Sequence, residues 1–153
     1  MLAAIAKRLI LWAVRRDGDP VRVVTFEGTP LFRRYMPFRR DEWWNAARGA
    51  WVNRLPWWLP VNAFVHRWTN SERADFHDHP RWSITVCLRG RIIEHTPWST
   101  RELRPGSVVF RSRKFIHAFE LPPGSAGKTW TLFIVGRRKH AQNSYVVTRK
   151  GLV

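Results

Sequence analysis

The chain has 153 residues, of which 44% are hydrophobic and 14% aromatic, and its 27 Lys and Arg residues outnumber its 11 Asp and Glu residues. This length and apolar content predict a single folded domain over residues 1–153 and exclude a disordered chain. The formal net charge of +16 predicts an anionic partner, such as nucleic acid, a nucleotide, an anionic lipid or an acidic metabolite. The alternative is a positive surface that is simply solvated.

Residues 1–16 have the pattern of one amphipathic helix. Apolar side chains recur close to the helical period at Leu2, Ile5, Ala6, Leu9, Trp12 and Ala13. The helix is predicted to stop at the Asp17-Gly18-Asp19-Pro20 sequence. Lys7 and Arg8 interrupt the apolar stretch, so it predicts neither a secretory signal nor a membrane span. We expect it to pack against the domain or against a second subunit in a homodimer; the alternative is contact with a membrane surface or nucleic acid.

Two predicted strands, over residues 21–26 and 31–38, precede a tryptophan-rich segment at 41–60. This segment, DEWWNAARGAWVNRLPWWLP, combines a short helical pattern with two Trp-Trp pairs and two prolines. We expect an ordered loop or a short helix that caps one end of the fold. The alternative is that its tryptophans and arginines stack on bases or sugars.

From residue 61 to residue 135 the chain alternates β-branched or aromatic runs with turn sequences. The predicted strands cover 61–68, 82–88, 91–96, 107–110, 115–121 and 129–135. Turns at Arg89-Gly90, Pro105-Gly106 and Pro122-Pro123-Gly124 separate them. This pattern predicts an all-β sandwich or barrel with its core in residues 61–135. The lone Cys87 is expected to be a small core residue, and a single cysteine favours a reducing, cytoplasmic setting.

Three histidines are the candidate metal ligands. His77 and His79 flank Asp78 and would share one face of an extended segment. Two imidazoles on one face can bind one metal ion; the alternative is a polar turn closed by Pro80. His117, in the extended segment FIHAFEL, is the third candidate ligand.

The spacing of these residues resembles the two motifs of the cupin superfamily, Gly-x5-His-x-His-x3,4-Glu-x6-Gly and Gly-x5-Pro-x-Gly-x2-His-x3-Asn. The first motif reads here Ser71-x5-His77-x-His79-x3-Ser83-x6-Gly90. The second reads Gly106-x5-Ser112-x-Lys114-x2-His117-x3-Leu121. Serine therefore stands at position 83, where the motif has a metal-binding glutamate. The HDHP sequence is also similar to that of small bacterial and phage cupin-like proteins.

The resemblance implies a cupin-type double-stranded β-helix, or jelly-roll barrel, with one N-terminal α-helix. It also implies that His77, His79 and His117 meet at the mouth of this barrel. There they would bind a divalent transition metal ion, one of Fe(II), Zn, Ni, Cu or Mn. Three histidine ligands leave coordination positions open for water or substrate, which is typical of a catalytic site.

Glu94 is a candidate for the role of the missing glutamate. If Arg89-Gly90 forms a two-residue hairpin turn, residue parity places Glu94 on the same side as the histidines, together with Ser83 and Thr85. Glu94 would then be a fourth ligand or a general base. The alternative is an ordinary glutamate that faces solvent.

Basic residues lead the chain toward His117. Arg111 and Arg113 are candidate substrate-binding residues, because guanidinium groups bind phosphate and carboxylate in a bidentate manner. A solvated basic loop is the alternative.

We expect a metal-binding cupin, with an oxygenase, isomerase or lyase acting on a small anionic substrate as the leading hypothesis. The alternatives are a non-catalytic basic module that binds nucleic acid, nucleotides or an acidic partner, and a metal-stabilised assembly protein.

Overall fold

A computed structural model describes residues 2–15, 22–26, 29–35, 42–45, 50–53, 61–72, 76–136, 144–145, 147–148 and 151–152. Within these ranges the chain forms one helix, α1 (Leu2–Arg15), and fifteen short strands. The first eight strands are β1 (Arg22–Phe26), β2 (Thr29–Tyr35), β3 (Glu42–Asn45), β4 (Ala50–Asn53), β5 (Asn62–Trp68), β6 (Phe76–His77), β7 (Ser83–Arg89) and β8 (Ile92–His95). The others are β9 (Thr100–Leu103), β10 (Val108–Arg111), β11 (Ala118–Glu120), β12 (Thr129–Val135), β13 (Ser144–Tyr145), β14 (Val147–Thr148) and β15 (Gly151–Leu152).

Two antiparallel sheets form the body of the fold. The larger sheet has the strand order β1-β2-β5-β12-β7-β10, and the smaller has the order β11-β8-β9. One apolar core joins them, with Phe32, Trp68, Cys87 and Val109 from the larger sheet and Ile92, Leu103 and Phe119 from the smaller. Apart from the consecutive pairs β1-β2 and β8-β9, neighbouring strands within each sheet are distant in sequence. The chain therefore passes repeatedly from one sheet to the other, as in a jelly roll. Cys87 is a buried core residue, as expected.

The turn at Arg89-Gly90 is a crossing between the sheets and does not close a hairpin. β7 pairs with β10 and β12, whereas β8 pairs with β9 and β11, so the hairpin assumed in the parity argument does not form. Gly90 has a φ of 78°, and a Cβ atom at this position would lie 2.8 Å from the Cα of Thr129. Both the backbone conformation and the close approach require glycine.

The N-terminal helix packs on the outer face of the larger sheet. Ala13 is fully buried, in a cluster with Tyr35, Val65 and Trp130 of β2, β5 and β12. These three residues alternate along their strands with residues that face the barrel interior. The helix therefore covers the side of the sheet that faces away from the interior. Within the described residues, no helix combines the length and apolar character that a membrane span needs.

The tryptophan-rich segment contains a pair of strands, so the expectation of a loop or short helix over 41–60 is wrong for the part that the structure describes. β3 and β4 pair in antiparallel register, with Trp44 opposite Trp51 and Trp43 opposite Val52. Aromatic and β-branched residues favour strands, and here they outweigh the short helical pattern. Residues 54–60 of the segment lie outside the described residues.

Candidate metal centre

Backbone pairing brings the three predicted histidine ligands to one place. His77 ends β6, His79 follows it by two residues, and His117 immediately precedes β11. The backbones of His77 and His117 bond in both directions, with N–H to carbonyl distances of 3.0 and 3.1 Å. The backbone N–H of His79 donates to the carbonyl of Arg113 at 3.3 Å. Backbone hydrogen bonds therefore position all three histidines independently of their side-chain contacts.

The imidazole side chains of these histidines converge. Their candidate ligand atoms all lie within 4.8 Å of one another. The Nε2 atoms of His79 and His117 are 2.7 Å apart. His117 is fully buried, whereas His77 and His79 are partly exposed. The cluster therefore has a closed side at His117 and a more accessible side at the other two rings.

Glu94 orients His117 from the closed side. This glutamate of β8 is fully buried, and its carboxylate accepts a hydrogen bond from His117 Nδ1 at 2.5 Å. A carboxylate only accepts, so His117 carries its proton on Nδ1, and the lone pair of its Nε2 faces the other histidines. A carboxylate that fixes the tautomer and orientation of the ring in this way is typical of metal-binding histidines.

Two arginines balance the charge of Glu94. Arg111 of β10 pairs with it through Nε, and its Nη1 donates to the hydroxyl of Thr85 at 2.7 Å. Arg101 of β9 pairs with the other carboxylate oxygen and is partly exposed. The alternative of a solvent-facing glutamate is wrong, because Glu94 has no exposed surface. Parity correctly placed Glu94 and Thr85 inside, although the hairpin assumed for that argument does not form.

Burial keeps His79 and His117 in the protonation state that metal binding needs. Burial, reinforced by His117, lowers the pKa of His79 to about 2. Burial also lowers the pKa of His117 to about 4, although Glu94 opposes this shift. For Glu94, burial raises the pKa, but hydrogen bonds from His117 and Arg111 outweigh burial and hold the pKa at about 2. At neutral pH these two imidazoles are neutral and the carboxylate is charged, as ligand binding to a metal requires.

The donor set fits a divalent transition metal ion. Neutral imidazole is a ligand for Fe(II), Zn, Ni and Cu, and also occurs in Mn sites. Two nitrogens bound to one tetrahedral ion lie about 3.4 Å apart. The rings of His79 and His117 therefore need to separate by roughly 1 Å or less to admit the ion.

The predicted substrate-binding arginines border this centre but differ in environment. Arg111 is 1% exposed and faces Glu94, so it belongs to the barrel interior and not to a solvated loop. Arg113 is partly buried and meets His79 through its carbonyl. Ser83, which stands where the cupin motif has its glutamate, is fully buried. Substrate binding by Arg111 and Arg113 stays a prediction.

Glu72 is a further carboxylate near the centre that sequence reasoning did not select. Its Oε2 lies 3.9 Å from His77 Nε2 and accepts the backbone N–H of Phe119 at 3.0 Å. Burial raises its pKa, against the opposing effect of His77. A cavity of about 440 Å³ adjoins it, with Phe76 and Glu120 among the lining residues. Glu72 occupies one of the unspecified positions between Ser71 and His77 in the first motif, so the motif does not predict it.

The remaining described histidines lie outside the cluster. His66 is buried in the interior of the larger sheet, and its Nε2 accepts a hydrogen bond from Arg34 Nε at 3.1 Å. Burial, together with Arg34, lowers the pKa of His66 well below its usual value. His95 faces outward and pairs with Glu120 at 2.7 Å. His140 lies outside the described residues.

This arrangement of strands is the cupin fold. No protein family model matches the sequence, and no curated protein matches it. Among solved structures, the polyketide cyclase RemF from Streptomyces resistomycificus matches with a TM-score of 0.59 and 15% identity, over 84% of this chain and 81% of that chain.

Two further structures match in the same way. A cupin-2 domain protein from Rhodospirillum rubrum has a TM-score of 0.59 and 13% identity, over 88% of this chain and 79% of that chain. The DMSP lyase DddQ from Ruegeria pomeroyi has a TM-score of 0.55 and 18% identity, over 93% of this chain and 75% of that chain. The jelly-roll fold with one N-terminal helix and the resemblance to cupins, both predicted from the sequence, are confirmed.

Proposed function

We propose that the protein is a metal-dependent cupin enzyme that acts on a small anionic substrate. The observation that carries this proposal is the convergence of three histidines within 4.8 Å, one of them oriented by a buried carboxylate. Burying a polar group costs free energy unless the group is paired. Apolar side chains would therefore fill the interior at lower cost than three histidines, and this favours a functional role for the cluster. The fold also occurs in proteins named as a cyclase and a lyase, which supports an enzyme.

Each residue of the centre has a distinct role in this proposal. His77, His79 and His117 would hold the ion, which is one of Fe(II), Zn, Ni, Cu or Mn. When bound, the ion supplies Lewis acidity or a centre for oxygen activation. Glu94 keeps the proton of His117 on Nδ1, and Arg111 keeps Glu94 charged.

Apolar rings form the walls of the proposed reaction site. The ring of Phe133 lies 6.0 Å from that of His79, and the ring of Phe115 lies 5.7 Å from that of His117. Apolar walls with a few polar groups are typical of small-molecule sites. They lower the local dielectric, which strengthens the attraction between an anionic substrate and a cationic centre. The reaction class that we propose is oxygenation, isomerisation or elimination.

Metal content is the direct test. Protein purified without an affinity tag or chelator is analysed by elemental mass spectrometry, beside the variants His77→Ala and His79→Ala and the control His95→Ala. We expect close to one transition metal ion per chain in the unaltered protein and in the control, because His95 faces outward. We expect the ion to be lost in the other two variants. Equal metal content in all four proteins, or none in the unaltered protein after reconstitution, would contradict the proposal.

Nucleic-acid binding is the second candidate function. The net charge of +16 favours it, and Trp98, which is 80% exposed and precedes Arg101 and Arg104 in sequence, could stack on a base. Under this proposal, affinity for DNA or RNA falls by orders of magnitude between 50 and 200 mM salt, because counterions are released on binding. Fluorescence anisotropy with labelled single- and double-stranded oligonucleotides tests it. Absent or salt-independent binding would rule it out.

A further inference from the structure

Three buried polar atoms beside the metal centre have no hydrogen-bond partner within the described part of the chain. They are Ser83 Oγ, Arg111 Nη2 and Arg113 Nε, and no other described side chain leaves such an atom. Ser83 has no exposed surface and Arg111 is 1% exposed. An unpaired buried donor is costly, so most such groups bind something. Three of them in one region indicate that this region holds a ligand.

These atoms belong to neighbouring segments of two paired strands. Ser83, the first residue of β7, lies directly opposite Arg111, the last residue of β10. Arg113 follows Arg111 by two residues, and its carbonyl accepts the backbone N–H of His79. Arg111 also contacts Glu94, the residue that orients His117. Through these contacts Ser83 and Arg111 adjoin the closed side of the histidine cluster, and the main chain of Arg113 adjoins His79.

The charges in this region favour an anion over a water molecule. The charge of Arg111 is balanced by Glu94. Arg113 Nε, in contrast, is buried and has no hydrogen-bond partner among the described residues. A buried guanidinium without a partner is stabilised most by an anionic hydrogen-bond acceptor with several lone pairs. A carboxylate is such an acceptor.

We propose that Ser83, Arg111 and Arg113 bind a carboxylate group of the substrate beside the metal ion. Position 83 is where the cupin motif has its metal-binding glutamate, so the substrate carboxylate would take the place of the side chain that this chain lacks. This inference rests on the proposed function, because it assigns the substrate class of the same centre. In this arrangement the substrate supplies the carboxylate that Ser83 cannot supply to the three-histidine site.

Formate is the simplest probe for this subsite. Formate is titrated by calorimetry into protein loaded with one zinc ion per chain, and in parallel into protein loaded with Co(II), whose visible spectrum reports ligand binding at the metal. The variants are Ser83→Ala and Arg113→Gln. The matched controls are Ser112→Ala and Lys114→Gln, which change exposed residues of the same segment.

We expect Ser83→Ala and Arg113→Gln each to weaken formate binding about 10-fold or more, since hydrogen bonds to a charged group are the stronger ones. The controls should bind formate as the unaltered protein does. A third variant, Ser83→Glu, supplies the carboxylate internally and should retain metal but no longer bind formate. Thermal melts show which variants are folded, and Ser83→Ala and Arg113→Gln test the inference independently of each other.

The outcomes separate this inference from the proposed function. Stoichiometric metal without formate binding, or with formate binding unchanged in both variants, would overturn the carboxylate subsite while leaving the metal centre intact; the donors would then hold only water. Absence of metal in the reconstituted protein, with formate binding that Ser83→Ala abolishes, would overturn the metal proposal and retain the anion subsite.

Discussion

The substitution Glu94→Gln tests the buried network behind the candidate metal centre. Glutamine has the same size as glutamate, but it carries no charge. Its side-chain NH2 group would also face N–H groups, which cannot accept a hydrogen bond from it. In the protein, Glu94 accepts from His117, Arg111 and Arg101. The substitution therefore leaves Arg111 buried without its counter-charge.

The structure indicates a large loss of stability. Removing one partner of a buried ion pair typically costs about 3–5 kcal/mol. The pKa of Glu94 supports this range, since its fall from 4.5 to about 2 on folding corresponds to about 3 kcal/mol. For a domain of this size, such a loss lowers the melting temperature by roughly 10 °C. Because Glu94 orients His117, metal affinity should also fall about 10- to 100-fold.

Urea unfolding of metal-free protein, followed by tryptophan fluorescence, measures the stability without interference from the metal. Glu102→Gln is the matched control, because Glu102 pairs with Arg91 and Arg104 at the surface, where ion pairs contribute little. Metal affinity is measured separately by competition with a chelator. If Glu94→Gln lost no more stability than the control, the buried network would not contribute as we infer.

Three further predictions follow from the same structure. Acidification should destabilise the metal-free protein in two overlapping steps. The first begins near pH 6.5, because folding lowers the pKa values of His79 and His117 and the unfolded chain therefore takes up protons first; the second begins near pH 4.5, because folding also lowers the pKa of Glu94. A urea midpoint that stays constant from pH 8 to 3 would contradict this. Gly90→Ala should cost more stability than Gly124→Ala, since both have positive φ but only the former brings a Cβ against Thr129, and equal thermal melts would refute the clash. Bound metal at 100 times its dissociation constant should add about 2.7 kcal/mol, so a chelator should lower the melting temperature of the unaltered protein but not of His77→Ala.

The histidine cluster was predictable because its signal is local. His77 and His79 alternate with Asp78 in an extended segment, and period two places alternate side chains on one face whatever the strand later pairs with. The third candidate ligand, His117, follows from its spacing to Gly106 in the second motif. The strands over residues 61–135 were also predictable, because strand and turn preferences depend on residues that lie within a few positions of each other along the chain.

Other features depended on pairing between distant segments. The crossing at Gly90 looked like a hairpin, because the sequence does not record that Thr129 approaches that turn. The strands β3 and β4 lie close together in sequence, and here the difficulty is local: the segment carries both a short helical pattern and residues that favour strands, and the strand preference prevails. Glu72 was not selected, because its proximity to His77 arises only when the chain folds back beside β11.

The sequence by itself determined the all-β class, the N-terminal amphipathic helix and the identity of the candidate ligands, because each depends on residue type and on spacing along a short stretch of chain. Only the tertiary structure decided that Glu94 contacts His117 and Arg111, and that Ser83 and Arg111 stand opposite each other with unpaired polar atoms. The reason is physical: burial and pairing are properties of segments that meet across the barrel, and they set the charge, the tautomer and the hydrogen-bond partners of every group in the centre.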